Sequence, residues 1–224
     1  MNSKQLYDFY NGSYHSSIDK NLKCDDKYFW ARSRAAVDLY FDEVSDNSKI
    51  FEYGVGIGQN IASFKNSVGY DISVEALNAC RMRGIQVSDN MDSIPDANFD
   101  VALSRHSLEH VPDPLESLIQ IRNKLKLGGM LILVLPKERH GKASFDTDIN
   151  NHLFCWNFRT INNLLNVAGF RPILNITKYS MGYQLLLPFH KILGYRIYLY
   201  MVKIAGRLSG LNGELIIRAL KVEF

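Results

Sequence analysis

The chain has 224 residues, 46% of them hydrophobic, with 26 Lys or Arg against 23 Asp or Glu and a net charge of +3. This length suits one sizeable α/β domain with an extension, or at most two small domains. Because the charges are well mixed along the chain, no polyelectrolyte is implied and nucleic acid is not expected as a partner. The three cysteines show no paired spacing, which predicts reduced thiols and a cytoplasmic protein.

The N-terminal segment, residues 1–46, is rich in aromatic residues and is predicted to end in a helix through Tyr40. No apolar stretch follows its first residues, so a secretion signal is not expected. We interpret this segment as a helical cap in front of a main domain that covers residues 47–224. Trp30 and Arg34 stand four residues apart within the cap.

The first predicted strand of the main domain ends in a glycine-rich turn. A short apolar run, Lys49–Phe51, leads into this turn, which contains Glu52, Tyr53, Gly54, Gly56 and Gly58. Alternating glycines let the backbone adopt positive φ and leave no Cβ between the chain and a ligand. Gln59 stands where a dinucleotide-binding G-x-G-x-x-G fingerprint has its third glycine, so NAD is disfavoured. Asn60 is predicted to open a helix over about residues 60–66.

Two further predicted strands end in polar residues. Ser67–Tyr70 is followed by Asp71 and Ile72, and Gly84–Ser88 is followed by Asp89, Asn90 and Met91. An acid at the end of the second strand of a nucleotide-binding α/β unit commonly accepts hydrogen bonds from ribose hydroxyls. Asp71 is therefore a candidate ribose ligand.

The fourth strand leads into a distinctive polar segment. Phe99–Ser104 is predicted to be buried, and residues 105–114 then read R-H-S-L-E-H-V-P-D-P. A helix is predicted over Leu115–Leu125, followed by a turn at residues 126–129 and a fifth strand, Met130–Pro136. Alternation of short strands with helices is typical of a mostly parallel sheet with helices on both faces.

Over roughly residues 48–176, the glycine loop, Asp71 and the L-E-H-V segment together resemble the class I S-adenosylmethionine-dependent methyltransferases. The resemblance implies an α/β, Rossmann-like, mostly parallel seven-stranded sheet with helices on both faces and a C-terminal antiparallel hairpin. Residues 171–176 and 214–220 are the natural candidates for that hairpin. Leu127 replaces the proline that the family usually has in its L-K-P-G-G turn.

The resemblance also implies S-adenosyl-L-methionine as the cofactor and assigns its contacts. The glycine loop would hold the methionine and ribose moieties, and Asp89 or Asn90 would bind the adenine amine with Met91 packed on the ring. Arg34, through a W-x-x-x-R pattern, would lie near the methionine carboxylate. The expected cofactor residues are Glu52, Tyr53, Gly54, Gly56, Gly58, Asn60, Asp71, Ile72, Asp89, Asn90, Met91, Ser104 and Arg34.

A hydroxyl acceptor benefits from a base that removes its proton, and histidine is the usual choice near neutral pH. His106 follows the fourth strand and His152 lies in the loop after the fifth, so both are expected at the rim of the site. We expect one of the two to be catalytic, with His152 preferred. The predicted reaction is O-methylation of a small molecule or of a glycan or lipid intermediate; N-methylation and C-methylation stay open.

Four residues of the same region have side chains that could ligate a metal. The residues concerned are His106, Glu109, His110 and His152, which resemble the E-x-x-E-H motif plus distant histidine of small-RNA 3′-end methyltransferases. Because L-E-H-V is widespread in relatives without a metal, no metal is expected. The alternatives to an O-methyltransferase are a non-catalytic, cofactor-binding regulatory subunit, a metal-dependent RNA ribose methyltransferase and an NAD-dependent oxidoreductase.

The stretch of about residues 181–210, between the last two predicted strands, is apolar, aromatic and predicted to be helical. It is interrupted by Pro188 and by four cations, Lys191, Arg196, Lys203 and Arg207. Both features argue against a membrane-spanning helix. Three roles stay open for it: a lid, a helix of a homodimer, or a peripheral contact with a membrane surface through residues 185–207.

Overall fold

A computed structural model describes residues 8–11, 25–138, 151–210 and 213–223 of the protein. The helices are α1 (Asp26–Tyr40), α2 (Val74–Met82), α3 (Pro114–Lys124), α4 (Phe158–Val167), α5 (Tyr183–Leu193) and α6 (Tyr195–Ser209). The strands are β1 (Ile50–Tyr53), β2 (Ser67–Tyr70), β3 (Gln86–Ser88), β4 (Phe99–Arg105), β5 (Leu125–Pro136), β6 (Phe170–Tyr179) and β7 (Gly213–Lys221). A 3-10 turn covers Met91–Ser93, and residues 8–11 are helical.

The seven strands form one sheet in the order β3-β2-β1-β4-β5-β7-β6. Strands β1 to β5 pair in parallel, whereas β7 is antiparallel to both of its neighbours, β5 and β6. Tyr53 at the end of β1 pairs with Tyr70 on one side and with Ser104 on the other, so three strands end at one edge. The predicted Rossmann-like fold with its C-terminal antiparallel hairpin is confirmed.

Helices cover both faces of the sheet because the central strands are apolar on both sides. All four residues of β1 are buried. One face packs against α1, α2 and α6 through side chains such as Phe29, Leu77 and Tyr198. The other face packs against α3 and α4 through side chains such as Leu118 and Ile161. Side chains cap the N-termini of α1 to α4, of which Ser73 at α2 is typical: its hydroxyl accepts a hydrogen bond from Ala76 N. At α5 and α6 the N-cap residue is a glycine and no side chain caps the helix.

The predicted helix at residues 60–66 is wrong, because turns connect β1 to β2. The side chains of Ile61 and Phe64 are buried in the core. The Ser67 hydroxyl hydrogen-bonds to the carbonyl oxygens of both residues, at 3.3 Å and 2.8 Å respectively. One α-helical hydrogen bond forms, from Ala62 N to Gly58 O at 3.1 Å, but the segment does not continue as a helix. The Ser67 side chain competes for the carbonyls that would extend it. The segment places Asn60 back against the end of β1.

The fifth strand begins earlier than predicted. Leu125 already pairs with Phe99, and the pairing resumes only at Met130, opposite Val101. The predicted turn at residues 126–129 is therefore an irregularity within β5, where Gly128 has a φ of +72°.

The predicted cap contributes α1, and its residues 1–7 and 12–24 lie outside the described part of the chain. The predicted helical insertion forms α5 and α6, separated by Gly194 with a φ of +80°. No helix within the described ranges combines the length and apolar character needed to cross a membrane. Cys80 and Cys155 are free thiols, and Cys24 lies outside the described residues.

Candidate functional site

A cavity of about 850 Å³ opens at the carboxyl ends of the parallel strands. Ligands of open α/β sheets bind at this edge, where the strand order reverses between β1 and β4. Its walls come from the loops that follow β1, β2 and β4, from the start of α3, and from single residues such as Arg32 and His152.

The glycine loop forms the floor of the cavity. Gly54, Gly56 and Gly58 all have positive φ, at +74°, +51° and +83°. A Cβ on Gly54 would lie 2.0 Å from the Ser107 hydroxyl, so no other residue fits there. The Gly54 and Val55 amides donate to Tyr70 O at 2.8 Å and 2.9 Å, which holds the loop against the end of β2. Gly54 and Gly56 line the cavity, whereas Gly58 packs against Ile85 behind it.

Asp71 ties this loop to the start of α2. One carboxylate oxygen accepts from Gly56 N at 2.7 Å and the other from Ser73 N at 2.9 Å. The side chain is almost fully buried, yet Asp71 and its neighbour Ile72 line the cavity. Each carboxylate oxygen has a second lone pair, so the group can still accept hydrogen bonds from a ligand's hydroxyls.

Glu52 lies buried beneath the loop. Asn60 Nδ2 donates to its Oε1 at 2.6 Å, and Oε2 has no partner among the described residues. Burial raises the pKa of this carboxyl to about 8, although the Asn60 hydrogen bond acts in the opposite direction. The group is therefore protonated at neutral pH. Tyr53 and Asn60 line the cavity, while Ser104 is buried with its hydroxyl unpartnered among the described residues.

The residues predicted to bind adenine lie outside the cavity lining. Asp89 is exposed, and the Asn90 side chain caps the 3-10 turn by accepting from Asp92 N at 2.9 Å. Met91 is partly buried and packs against the hydrophobic core on the α3 side of the sheet. Their role in adenine binding stays a prediction.

Of the two arginines of α1, the one that faces the cavity is not the one that the W-x-x-x-R pattern predicts. Arg34 is exposed, and its guanidinium lies 4.0 Å from the centre of the Tyr195 ring, outside the cavity. Arg32 is half-buried, lies 3.8 Å from the centre of the Tyr183 ring and lines the cavity. Since residues two apart on a helix point in different directions, only one of them can face the cavity. Arg32, and not Arg34, lines the cavity, and a role for Arg34 near the methionine carboxylate stays a prediction.

His106 is anchored in a network of buried charges. Its Nε2 donates to Glu214 Oε1 at 3.0 Å, and Arg105 donates to the same oxygen at 2.8 Å. The Tyr40 hydroxyl donates to the other oxygen at 2.7 Å. Burial alone would raise the pKa of Glu214, but Arg105 and the bond from His106 outweigh it and lower that pKa. Burial and the neighbouring Arg105 lower the pKa of His106, so the imidazole is neutral at pH 7.

His152 reaches the same cavity from the loop after β5. Its Nδ1 is hydrogen-bonded to Glu138, whose other oxygen accepts from Cys155 Sγ at 2.9 Å. A histidine that donates from Nδ1 to a carboxylate presents Nε2 as its basic nitrogen. Sequence reasoning missed Glu138 and Glu214, because both act through partners that are distant along the chain.

Three of the four residues considered for a metal converge. Ligand atoms of Glu109, His110 and His152 lie within 4.8 Å of one another, and all three residues line the cavity. Glu109 is fully buried, and neither carboxylate oxygen has a hydrogen-bond partner among the described residues. Burial raises its pKa to about 8. Together these groups could hold a divalent cation; His106 lies beside them, with its Nδ1 3.6 Å from Glu109 Oε1.

Comparison with known proteins agrees with this fold. The chain resembles, with a TM-score of 0.65 and 16% identity, phosphoethanolamine N-methyltransferase 2 of Haemonchus contortus in complex with phosphomonomethylethanolamine and S-adenosylhomocysteine. The match covers 97% of this chain, which spans only 60% of that protein's length. No curated protein sequence matched the chain.

Two further structures match along most of both chains. 1,6-Didemethyltoxoflavin-N1-methyltransferase of Burkholderia thailandensis, with its substrate and S-adenosylhomocysteine bound, gives a TM-score of 0.62 at 18% identity, covering 97% of this chain and 88% of that one. A possible histamine N-methyltransferase of Thermotoga maritima gives 0.61 at 18% identity, covering 93% and 97%. At these identities the likeness concerns the fold.

A family model described as a methyltransferase domain matches residues 26–175. This range runs from α1 to β6 and contains the glycine loop, Asp71 and both candidate histidines. Since the match covers more than half of the chain, the protein belongs to the methyltransferase domain family.

Proposed function

We propose that the protein is an S-adenosyl-L-methionine-dependent methyltransferase that acts on an oxygen of a small-molecule, glycan or lipid-linked acceptor. The observation that carries this proposal is the hydrogen bond that Asp71 accepts from Gly56 N in the glycine loop, at the floor of the cavity. The cavity of about 850 Å³ lies within the range of small-molecule sites, roughly 300–1,000 Å³. The free thiols of Cys80 and Cys155 support a reaction in the cytoplasm.

The cofactor fits the polar groups that the cavity presents. The loop of Gly54 and Gly56 leaves room for the methionine and ribose moieties, and the Asp71 carboxylate would accept hydrogen bonds from the ribose hydroxyls. Arg32, the cavity-lining cation of α1, pairs with the methionine carboxylate. The Haemonchus and Burkholderia structures, which contain S-adenosylhomocysteine, support this choice of cofactor.

Methyl transfer is an in-line displacement. Bound S-adenosylmethionine would supply a methyl group on a positively charged sulfur, which would leave as a neutral thioether when an acceptor oxygen attacks in line. Positioning of the two reactants in one enclosed site supplies much of the rate. A base that takes the hydroxyl proton adds about 10²–10⁴-fold.

His152 is the base in this proposal. Its bond to Glu138 fixes the proton on Nδ1 and leaves Nε2 as the proton acceptor. The bond of His106 to Glu214 does the opposite, since it fixes the proton on Nε2. The remaining nitrogen of His106, Nδ1, faces the buried Glu109 at 3.6 Å. His106 therefore has a structural role through its bond to Glu214, and His152 accepts the proton.

An amine acceptor is the second candidate. The three structures compared above all carry N-methyltransferase names, and a neutral amine attacks without prior loss of a proton. A regulatory subunit that binds the cofactor without turnover is the non-enzymatic alternative. Nucleic acid is disfavoured by the mixed charge of the chain.

The test is a transfer assay with S-adenosylmethionine that carries a tritiated methyl group. Purified protein is incubated separately with small-molecule, glycan and lipid extracts, and with the Asp71→Ala variant as the control for the cofactor site. We expect the label to enter one extract, on an oxygen identified by mass spectrometry of the product. Label on nitrogen would overturn the oxygen assignment, and cofactor binding without any transfer would favour the regulatory subunit.

A further inference from the structure

Helix α5 carries an exposed apolar stripe. Its residues are Leu185, Phe189, Ile192 and Leu193, with exposed fractions of 81%, 41%, 77% and 44%. Their spacing of four, seven and eight residues places them on one face of a helix. The only fully buried residue of α5 is Tyr183, at its start. The helix therefore presents this stripe outward, whereas Leu186 and Leu187 pack against the core.

Helix α6 repeats the arrangement. Ile197, Tyr200 and Leu208 are 48%, 65% and 84% exposed, and their spacing of three and eleven residues again defines one face. The buried residues of α6 lie on a different face and include Tyr198 and Val202, which pack into the core. Packing against the sheet is thus complete without the exposed residues. We call the seven exposed apolar residues of α5 and α6 the hairpin stripe.

Cations flank the hairpin stripe. They are Lys191, Arg196, Lys203 and Arg207, and no Asp or Glu occurs anywhere in residues 181–213. Lys191, Arg196 and Arg207 are exposed. Within α5 and α6 the charges are all positive, although the exposed Asp38 of α1 contacts the start of α6, where its Oδ2 accepts a hydrogen bond from the Tyr195 hydroxyl at 2.6 Å. An apolar face on helices of this charge complements an anionic lipid surface, where apolar side chains enter the boundary region and cations meet the head groups. A two-fold contact with a second copy would instead bring like charges together, which is unfavourable.

The stripe lies next to the candidate active site. A second cavity of about 590 Å³, at the start of α5, is lined by Tyr28 and by residues 180–185. Tyr28 also lines the main cavity, as does Arg32, whose guanidinium stacks on Tyr183 of α5. A surface that binds the stripe would therefore lie close to the mouth of the cavity.

We propose that α5 and α6 dock on an anionic membrane surface, with the hairpin stripe at the lipid boundary and the four cations on the head groups. Neither helix crosses the bilayer, since no helix within residues 8–11, 25–138, 151–210 and 213–223 is able to do so. Docking of this kind gives the cavity access to an acceptor carried by a lipid. That consequence for the acceptor rests on the proposed function, whereas docking itself does not.

The test is sedimentation of the full chain with vesicles of phosphatidylcholine alone or with added phosphatidylglycerol. We expect binding to the anionic vesicles, at least tenfold weaker binding to the neutral ones, and release at high salt. The double variant Ile192→Ser, Leu208→Ser should bind the anionic vesicles at least tenfold more weakly. Its matched control is Met82→Ser, Leu127→Ser, two apolar side chains with 81% and 61% exposure that lie elsewhere and should leave binding unchanged.

A second pair of variants tests the charges. Lys191→Gln with Arg207→Gln should weaken vesicle binding, and Arg159→Gln with Arg171→Gln, two exposed arginines outside the hairpin, should not. Circular dichroism and cofactor titration on every variant verify the fold and keep the cofactor site as a separate readout. Absence of vesicle binding by the wild type would overturn the proposal even if the cofactor binds. A dimer that the stripe variant abolishes would overturn it in favour of a second copy.

Discussion

His106 Nε2 lies 3.0 Å from Glu214 Oε1, which joins the residue after β4 to the second residue of β7. Arg105 donates to the same oxygen and Tyr40 to the other, so the buried carboxylate is hydrogen-bonded at both oxygens. A buried charge is stable only when it is paired in this way. The arrangement indicates that His106 holds the sheet edge together at the site.

This relationship separates the two histidines experimentally. We expect His152→Asn to lower kcat with a hydroxyl acceptor by about 10²–10⁴-fold, because it removes the base, while the affinity for the cofactor is kept. His106→Asn should lower the thermal stability of the protein and reduce kcat by less. Thermal melts and single-turnover rates, both with the acceptor found in the transfer assay, make the comparison. A His106→Asn protein of normal Tm with the larger loss of kcat would assign the base to His106.

The buried carboxyl of Glu52 predicts a pH dependence of stability. Burial raises its pKa from 4.5 to about 8, so the folded state holds a proton that the unfolded chain releases. This contribution is complete below about pH 4.5, and is lost as the pH rises through about 8, with a slope of at most about 1.4 kcal/mol per pH unit. Glu52→Gln should therefore reduce the fall of unfolding free energy with pH.

Urea denaturation of the ligand-free protein at several pH values between about 5 and about 8 measures this slope. The matched control is Glu116→Gln, a substitution at an exposed glutamate, which should leave the slope as in the wild type. Part of the slope should survive in Glu52→Gln, because burial also raises the pKa of Glu109 to about 8. An identical slope in Glu52→Gln and the wild type would show that Glu52 is ionised in the folded state.

The two arginines of α1 form a matched pair, since each stacks on a tyrosine of the α5–α6 hairpin. Arg32→Ala removes the cation that lines the cavity and should weaken cofactor binding by about 10–100-fold, the usual loss for a hydrogen bond to a charged group. Arg34→Ala removes an equivalent stacking contact outside the cavity and should leave the affinity within about threefold. Titration calorimetry with S-adenosylhomocysteine distinguishes them. The reverse order of effects would restore Arg34 as the carboxylate partner.

The cluster of Glu109, His110 and His152 could hold a metal ion, and removal of metal tests whether catalysis depends on one. Because the proposed base needs only Glu138 to orient it, we expect chelation by EDTA to leave the transfer rate unchanged. Metal analysis of the purified protein should find no stoichiometric zinc or other divalent ion. Loss of activity on chelation, with recovery on adding back one ion, would make the cluster a catalytic metal site.

The sequence predicted the strands and the loop that hold the site well, because those signals are local. Alternate glycines behind a short apolar run are typical of a turn with positive φ, and an acid four residues after the start of β2 falls at the edge where the strands end. The prediction of a helix at residues 60–66 was wrong because its apolar residues, Ile61 and Phe64, are buried in the core although the segment forms turns. The W-x-x-x-R pattern predicted only Arg34, whereas the rotation of α1 about its axis, which the pattern does not determine, brings Arg32 to the cavity.

The partners of the histidines could not be predicted from the sequence. Glu214 contacts His106, which lies 108 residues away in the sequence. Nothing in the sequence distinguishes Glu214 from an ordinary residue of a strand. Glu138 meets His152 across 14 residues that lie mostly outside the described part of the chain. Both contacts join residues that only the complete fold brings together.

Cofactor binding is the central claim, and calorimetric titration with S-adenosylmethionine, S-adenosylhomocysteine and NAD tests it most directly. We expect micromolar binding of the first two ligands and none of NAD. Asp71→Ala should weaken the binding of both by at least tenfold, since it removes the carboxylate that holds the glycine loop and faces the ribose. Binding of NAD alone, or unchanged affinity in Asp71→Ala, would contradict the assignment of the site.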